Sequence, residues 1–167
     1  QTDYMSDCIE FGANIGMNLI ALKLLFPKLE LEAIELNKEA TKILKKNIPE
    51  VTAHQGSIIT TYLAKKFDLV LIKGVLIHIN PDYLSTVYKN LYDCANKYIL
   101  ICEYYNRTPV SIDYRGHKDK LFKRDFCGDI MDQFNDLELV DYGFAYHRDK
   151  NFPQDDISWF LLKKRAN

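Results

Sequence analysis

EFGANIG, residues 10–16, is the stretch on which the fold assignment depends. It follows a run of strand length, residues 7–11, and leads into residues 15–26, where apolar side chains recur at helical spacing. Gly12 gives the backbone the freedom for a sharp turn from strand to helix, and Gly16 lets the helix approach a sheet closely. The stretch therefore predicts the strand–turn–helix unit with which an open α/β sheet begins.

Apolar runs of strand length alternate with helical segments through residues 7–102, which is typical of a parallel sheet with helices on both faces. No regular element is predicted over residues 104–121, and a helix is predicted over 122–134. The predicted strands are residues 7–11, 29–36, 51–54, 67–72, 98–102, 137–146 and 157–163. We predict one α/β domain over residues 1–167, a doubly wound, seven-stranded, mostly parallel sheet with an antiparallel C-terminal hairpin.

The composition disfavours several classes of protein. A net charge of -1 gives no overall attraction to a nucleic acid, so we expect no such partner. No apolar stretch approaches the ~20 residues that a membrane-spanning helix needs. The four cysteines lie far apart, which is typical neither of a zinc site nor of a disulfide framework. We predict a cytoplasmic protein with reduced thiols and no metal.

The first loop and the end of the second strand together indicate a cofactor. Asn14 stands where a dinucleotide fingerprint has a glycine that lets the backbone meet a pyrophosphate. Glu35 closes the second predicted strand, where a carboxylate can accept hydrogen bonds from both hydroxyls of a ribose. S-adenosylmethionine has a ribose but no phosphate, and it fits these features better than NAD does.

Ligands of such sheets bind beyond the carboxyl ends of the strands, at the point where the strand order reverses. The loops after the first four strands should therefore hold the cofactor. The predicted cofactor-binding residues are Glu10, Gly12, Ala13, Asn14, Gly16, Glu35, Leu36, Gly56, Ser57, Ile58, Lys73 and Gly74. The alternative is that both glycines of the first loop serve only a tight turn and that Glu35 is a solvated strand end, but the strand–turn–helix context favours a ligand.

Longer segments resemble a known family. They are IEFGANIGMN (9–18), FDLVLIKGVLIHINP (67–81), YILICEYYN (98–106), YRGHKDKLFKRDF (114–126) and YHRDKNFPQDDISWFLL (146–162). Together they resemble the methylases associated with pseudaminic acid biosynthesis, which belong to the class I S-adenosylmethionine-dependent methyltransferases.

The resemblance implies that Glu10, Gly12, Asn14, Gly16 and Glu35 contact the cofactor. It implies a small-molecule acceptor in bacterial surface-sugar metabolism, with an acidic or nucleotide-activated sugar as the candidate. Members of the class begin with helical segments ahead of the first strand, and we expect this domain to lack those cover helices.

Several residues could take part in methyl transfer. His78 follows the fourth strand and is the first candidate for a general base or for a group that orients the acceptor, although it could simply fix its loop. Glu103, Tyr104 and Tyr105 end the fifth strand and are predicted to contact the acceptor, the alternative being that they form only a wall.

A basic segment follows the fifth strand. Its basic residues are predicted to clamp a phosphate or carboxylate of the acceptor; they are Arg115, His117, Lys118, Lys120, Lys123 and Arg124. The alternative is a solvated loop whose charge the neighbouring aspartates neutralise.

Three other classes of function remain open. NPDY, residues 80–83, faintly resembles a motif of nucleic-acid amino-methyltransferases, but that motif belongs directly after the fourth strand, where Lys73 and Gly74 lie. A non-catalytic cofactor-binding module of the same fold is a second alternative. A hydride-transfer enzyme is the third, and Asn14 disfavours it.

Overall fold

The computed structural model describes residues 4–114 and 117–165, with only the backbone described at residues 114 and 117–120. The helices and strands follow in chain order. They are β1 (Asp7–Phe11), α1 (Met17–Leu25), β2 (Glu30–Glu35), α2 (Lys38–Asn47), β3 (Thr52–Gln55), β4 (Phe67–Lys73), two 3-10 helices (Leu76–His78 and Pro81–Tyr83), α3 (Leu84–Cys94), β5 (Ala95–Glu103), β6 (Val110–Tyr114), β7 (His117–Lys123), α4 (Phe126–Gln133), β8 (Leu137–Ala145) and β9 (Ile157–Lys164).

Seven of these strands form one sheet in the order β3-β2-β1-β4-β5-β9-β8. The first five strands in that order run parallel, and β9 is antiparallel to both of its neighbours. The strand order reverses between β1 and β4, so the carboxyl ends of these strands flank the crevice where ligands of open α/β sheets bind. The predicted doubly wound sheet with an antiparallel C-terminal hairpin is confirmed.

The core has two layers, one on each face of the sheet. β4 is buried from Phe67 to Ile72, as its continuous apolar run predicts for a central parallel strand. Alternate residues of β4 point to opposite faces: Val70 packs in the cluster that includes side chains of α3 and α4, and Leu69 packs in the cluster that includes side chains of α1 and α2. Helices therefore cover the sheet from both sides and fix the positions of its strand ends.

Two local predictions were wrong. Residues 104–121 were predicted to be irregular, but β6 and β7 form an antiparallel hairpin in which Val110 pairs with Lys123. The helix predicted from residue 122 begins only at Phe126, because Phe122 belongs to β7 and Asp125 caps the helix by accepting a hydrogen bond from the N–H of Gly128 at 2.8 Å. The hairpin lies in contact with the 3-10 helix Leu76–His78 and not in the main sheet.

The turn before α3 is a 3-10 helix capped by Asn80. The side chain of Asn80 accepts a hydrogen bond from the N–H of Asp82 at 3.1 Å. The segment that it caps is the 3-10 helix Pro81–Tyr83, and the α-helix begins one turn later at Leu84. Within the described part of the chain, every helix is too short or too polar to cross a membrane.

Asp68 ties three segments together at the amino ends of the parallel strands. Its carboxylate accepts hydrogen bonds from the N–H and hydroxyl of Ser6 and from the side chain of Asn96, and it pairs with Lys97 at 3.1 Å. Burial opposes ionisation of Asp68, but these donors outweigh it and lower the pKa to about 2.

We predict that Asp68→Asn lowers the free energy of unfolding at pH 7 by about 1–3 kcal/mol, since it removes charge-assisted hydrogen bonds. Because the folded-state pKa of Asp68 is depressed, the ionised form stabilises the fold above its ordinary pKa, and this contribution is lost as the pH falls toward about 2. Urea denaturation at pH 7 and at pH 3 measures the difference. An equal effect at both values would contradict the prediction.

Candidate active site

A cavity of about 920 Å³ lies at the carboxyl ends of the parallel strands, under β7. It is large enough for a nucleoside cofactor with room for a second small molecule. Many of the residues predicted from the sequence line it: Gly12, Ala13, Asn14, Glu35, Leu36, Ser57, Ile58, Lys73, Gly74, His78 and Tyr104.

The turn after β1 depends on left-handed backbone conformations. Gly12, Asn14 and Gly16 have φ values of 77°, 51° and 85°, a region that glycine adopts freely and that asparagine tolerates better than most residues. The N–H of Gly12 donates to the carbonyl oxygen of Ile34 at 2.8 Å, which ties the turn to β2. A Cβ atom at Gly12 would lie 2.6 Å from the side chain of Val75, so no larger residue fits beside the loop after β4.

Glu35 joins the first two loops. One carboxylate oxygen accepts a hydrogen bond from the N–H of Asn14 at 2.8 Å, and the other accepts one from the N–H of Asn37 at 2.7 Å. Each oxygen keeps a further lone pair, and Glu35 lines the cavity. The carboxylate can therefore accept hydrogen bonds from a diol without giving up its backbone partners.

Apolar side chains from the second and third loops stand next to Glu35 in the cavity wall. Leu36 is 68% exposed although it is apolar, and Ile58 contributes from the loop after β3 together with Ser57. Exposed and buried aliphatic groups of this kind can sandwich a flat aromatic ring. Gly56 does not line the cavity; a Cβ atom there would collide with the hydroxyl of Thr61.

Glu10 lies behind the cavity and not in its wall. Its side chain is 1% exposed, and Oε1 accepts a hydrogen bond from Nδ2 of Asn18 at 2.6 Å. Oε2 is buried and has no hydrogen-bond partner among the described residues. Burial raises the pKa of Glu10 to about 7, although the hydrogen bond from Asn18 and the positive charge of Lys73 act in the opposite direction.

Lys73 brings a positive charge to the same end of the cavity. Its Nζ lies 3.4 Å from Oδ1 of Asn18 and 3.3 Å from Oε1 of Gln154, both of which are neutral amides. Both partners line the cavity together with Lys73, so its ammonium group lies at the cavity wall. Gly16 does not line it, because it serves the packing of α1 on Leu44.

The residues predicted to contact the acceptor separate into different environments. Tyr104 lines the cavity, and Nζ of Lys123 lies 5.1 Å from the centre of its ring. Tyr105 does not line it, and its ring instead lies 6.1 Å from that of Phe160. His78 is exposed and lines the cavity from the 3-10 helix.

Glu103 was predicted to contact the acceptor, but it does not line the cavity. It is 1% exposed and accepts hydrogen bonds from the N–H groups of Val75 and Leu76, both at 2.8 Å. Of the proposed basic clamp, Arg115 lies outside the described residues, and the side chains of His117 and Lys118 are not among those described.

The cavity includes residues that sequence reasoning missed: Asn18, Leu121, Gln154 and Ile157. A signal for Asn18 was present, since it ends the segment 9–18 that carries part of the family resemblance. Lys123, from the predicted basic segment, also lines the cavity. Gln154 and Asp155 come from the loop between β8 and β9, and no local pattern could reveal the approach of Gln154 to β4.

Solved structures with a similar fold are numerous. A S-adenosylmethionine-dependent methyltransferase from Clostridium acetobutylicum ATCC 824 superposes with a TM-score of 0.74 at 12% identity, over 98% of this chain and 85% of that one. The N-methyltransferase NodS from Bradyrhizobium japonicum WM9 gives a TM-score of 0.74 at 15% identity, over 97% and 87% of the chains. An O-methyltransferase of a trans-AT PKS multienzyme from Brevibacillus brevis, in complex with S-adenosyl-L-homocysteine, gives 0.73 at 14%, over 96% and 67%.

This chain has the Rossmann-like methyltransferase fold. No protein-family model matches the sequence, and no curated protein does so either. The methyltransferase fold therefore rests on the course of the backbone, and the assignment of a reaction must come from the side chains around the cavity.

We predict that Glu10→Gln stabilises the protein more at pH 8 than at pH 5, by about 1–3 kcal/mol in the free energy of unfolding. The folded-state pKa of Glu10 is raised above its ordinary value, so the native protein holds an extra proton between about pH 4.5 and 7 and loses stability as the pH rises through that range. The glutamine variant lacks this loss.

Urea denaturation of the wild type and the variant at both pH values tests the prediction. Glu39→Gln is the matched control, because Glu39 is exposed and pairs with Lys42 on the surface of α2. A Glu10→Gln effect that does not change with pH would show that burial leaves the Glu10 carboxylate unperturbed.

Proposed function

We propose that this protein is a S-adenosylmethionine-dependent methyltransferase that acts on a small-molecule acceptor. The observation that carries the proposal is the position of Glu35, a carboxylate at the tip of β2 that lines the cavity beside a turn without a diphosphate cradle. Methyltransferases of this fold that have been solved with S-adenosylmethionine or S-adenosylhomocysteine support the proposal.

The side chains suggest one orientation of the cofactor in the cavity. Glu35 would accept hydrogen bonds from the ribose hydroxyls, and the adenine would lie between Leu36 and Ile58 with Ser57 at its edge. The methionine end would then reach Lys73, whose ammonium group suits a carboxylate. Glu10, whose buried carboxyl group interacts with Lys73 and keeps one oxygen unpartnered among the described residues, would lie near this end of the cofactor.

The cofactor supplies an electrophilic methyl group, so the protein has to align an acceptor nucleophile behind it. Alignment of this kind can contribute about 7–11 kcal/mol to lowering the barrier. His78 stands exposed on the cavity wall, where it could take a proton from a hydroxyl or orient the acceptor. Tyr104 and Lys123 would form a further part of the wall.

An acidic or nucleotide-activated sugar is the acceptor that we propose. Lys123 lines the cavity at the base of the β6–β7 hairpin, and further basic residues precede it in the sequence of that hairpin. A carboxylate or phosphate on the acceptor would complement them. The resemblance of residues 114–126 and 146–162 to methylases associated with pseudaminic acid biosynthesis supports the same class of acceptor.

We predict that Glu35→Gln weakens binding of S-adenosylhomocysteine about 10- to 100-fold, since hydrogen bonds to a charged group are worth roughly 1.5–3 kcal/mol. Isothermal titration calorimetry on the full chain measures the change. Glu39→Gln serves as the control, because Glu39 lies on α2 outside the cavity. Equal affinities of the wild type and Glu35→Gln would contradict the proposed contact between Glu35 and the ribose. A wild type that binds NAD but not S-adenosylhomocysteine would overturn the proposed cofactor.

We predict that Lys123→Glu lowers kcat/KM for an acidic acceptor by about 10-fold or more, in line with loss of a charge-assisted pair, and leaves the affinity for S-adenosylhomocysteine within about 2-fold. Formation of S-adenosylhomocysteine is followed with free and nucleotide-activated acidic sugars and with neutral sugars. Lys118→Glu extends the test to the hairpin. Turnover of neutral sugars alone would contradict an acidic acceptor, and cofactor binding without any turnover would favour a non-catalytic module.

A further inference from the structure

Glu103 is a buried acid at the end of β5 that the proposed reaction does not use. Its side chain lies on the same face of β5 as Ile99 and Ile101, in the layer that α3 and α4 cover. One carboxylate oxygen accepts the N–H groups of Val75 and Leu76, both at 2.8 Å. Glu103 thus connects β5 to the loop that follows β4.

The two N–H groups need a partner because of how the chain leaves the sheet. The N–H of Gly74 still extends the ladder by donating to the carbonyl oxygen of Cys102 at 2.9 Å. Gly74 then adopts φ 65° and turns the chain into the 3-10 helix Leu76–His78. The first N–H groups of a helix have no partner within it, and the side chain of Val75 supplies none. The Glu103 carboxylate fills this role from the neighbouring strand.

The loop held in this way forms a large part of the cavity wall. Gly74, Val75, Ile77 and His78 all line it. Val75 also packs against Gly12, where a Cβ atom would lie 2.6 Å from its side chain. A shift of the loop would therefore move the turn after β1 as well as the candidate base.

An acid in this position is costly unless its charge is well compensated. The second oxygen of Glu103 is buried without a hydrogen-bond partner among the described residues. Burial raises the pKa of Glu103 to about 7, and the backbone donors act in the opposite direction. Hydrogen bonds to an ionised acceptor are roughly twice as strong as neutral ones. Glu103 therefore holds the loop firmly, and the burial of its charge costs stability.

We propose that Glu103 is a positioning residue that fixes the Gly74–His78 loop against Gly12 and thereby preorganises the cofactor-binding face. The inference rests on the proposed function, because it assumes that the cavity takes the cofactor. Glu103 acts through the loop and not on a ligand, since it does not line the cavity itself.

The test compares S-adenosylhomocysteine binding to the wild type, Glu103→Ala and Glu103→Gln by calorimetry on the full chain. Alanine removes the acceptor oxygen, and we expect the affinity to fall about 10-fold or more, as for loss of a charged hydrogen-bond acceptor. Glutamine keeps one oxygen that can accept both N–H groups, and we expect affinity within about 3-fold of the wild type. Hydrogen exchange of the Val75 and Leu76 amides should accelerate in the alanine variant only.

Asp68→Asn is the control for a purely structural effect. Asp68 is also buried and also accepts a backbone N–H, but it lies at the amino end of β4, away from the cavity. It should lower stability and leave the affinity for S-adenosylhomocysteine unchanged.

A folded Glu103→Ala variant that binds S-adenosylhomocysteine within 2-fold of the wild type overturns the inference, and so does a glutamine variant as weak as the alanine one. If Glu103→Ala does not fold, hydrogen exchange of the wild type with and without S-adenosylhomocysteine tests the inference instead. Cofactor binding should protect the Val75 and Leu76 amides about 10-fold or more, because coupling between loop and ligand is reciprocal. Unchanged protection overturns the inference. A wild type that does not bind S-adenosylhomocysteine refutes the proposed function instead.

Discussion

Glu35 accepts hydrogen bonds from the backbone N–H groups of Asn14 and Asn37, and this bridge fixes two of the loops that border the cavity. The bridge is possible because Asn14 adopts a left-handed conformation that turns its N–H toward β2. The turn after β1 has no room for a side chain at Gly12, because the side chain of Val75 packs there. A single carboxylate thus couples the conformation of three loops to the shape of the cavity, and its remaining lone pairs stay available to a diol.

The distribution of buried acids follows the polarity of the parallel sheet. At the amino ends of the strands, Asp68 is fully supplied with donors, and its ionised form supports the fold. At the carboxyl ends, Glu10 and Glu103 are each buried with one oxygen unpartnered among the described residues, and the pKa of each is raised to about 7. Ionised Glu10 and Glu103 therefore lower the stability of the fold, whereas ionised Asp68 raises it. Buried acids with raised pKa values are expected at a ligand-binding site, where their charge can act on the ligand.

The β6–β7 hairpin adds a wall to the cavity that the main sheet does not provide. The chain as a whole follows the methyltransferase fold at sequence identities of 12–15%. The hairpin lies outside the main sheet, packs on the 3-10 helix after β4, and brings Leu121 and Lys123 to the cavity. In the proposed function it supplies the wall against which the acceptor binds, so it is where the choice of acceptor would reside.

The sequence by itself determined the sheet, the turn at Gly12 and the carboxylate at Glu35, because strand and helix periodicity and the φ preference of glycine are local properties. Only the tertiary structure decided the direction of Glu103, the partners of Lys73 and the existence of the hairpin. The alternation of β5 places Glu103 on the buried face of the strand. Its partner there is the loop after β4 and not a ligand, because the left-handed turn at Gly74 brings the N–H of Val75 to its carboxylate. Lys73 meets Gln154 across a sheet whose strand order reverses, and no pattern within a short window of sequence encodes such a contact.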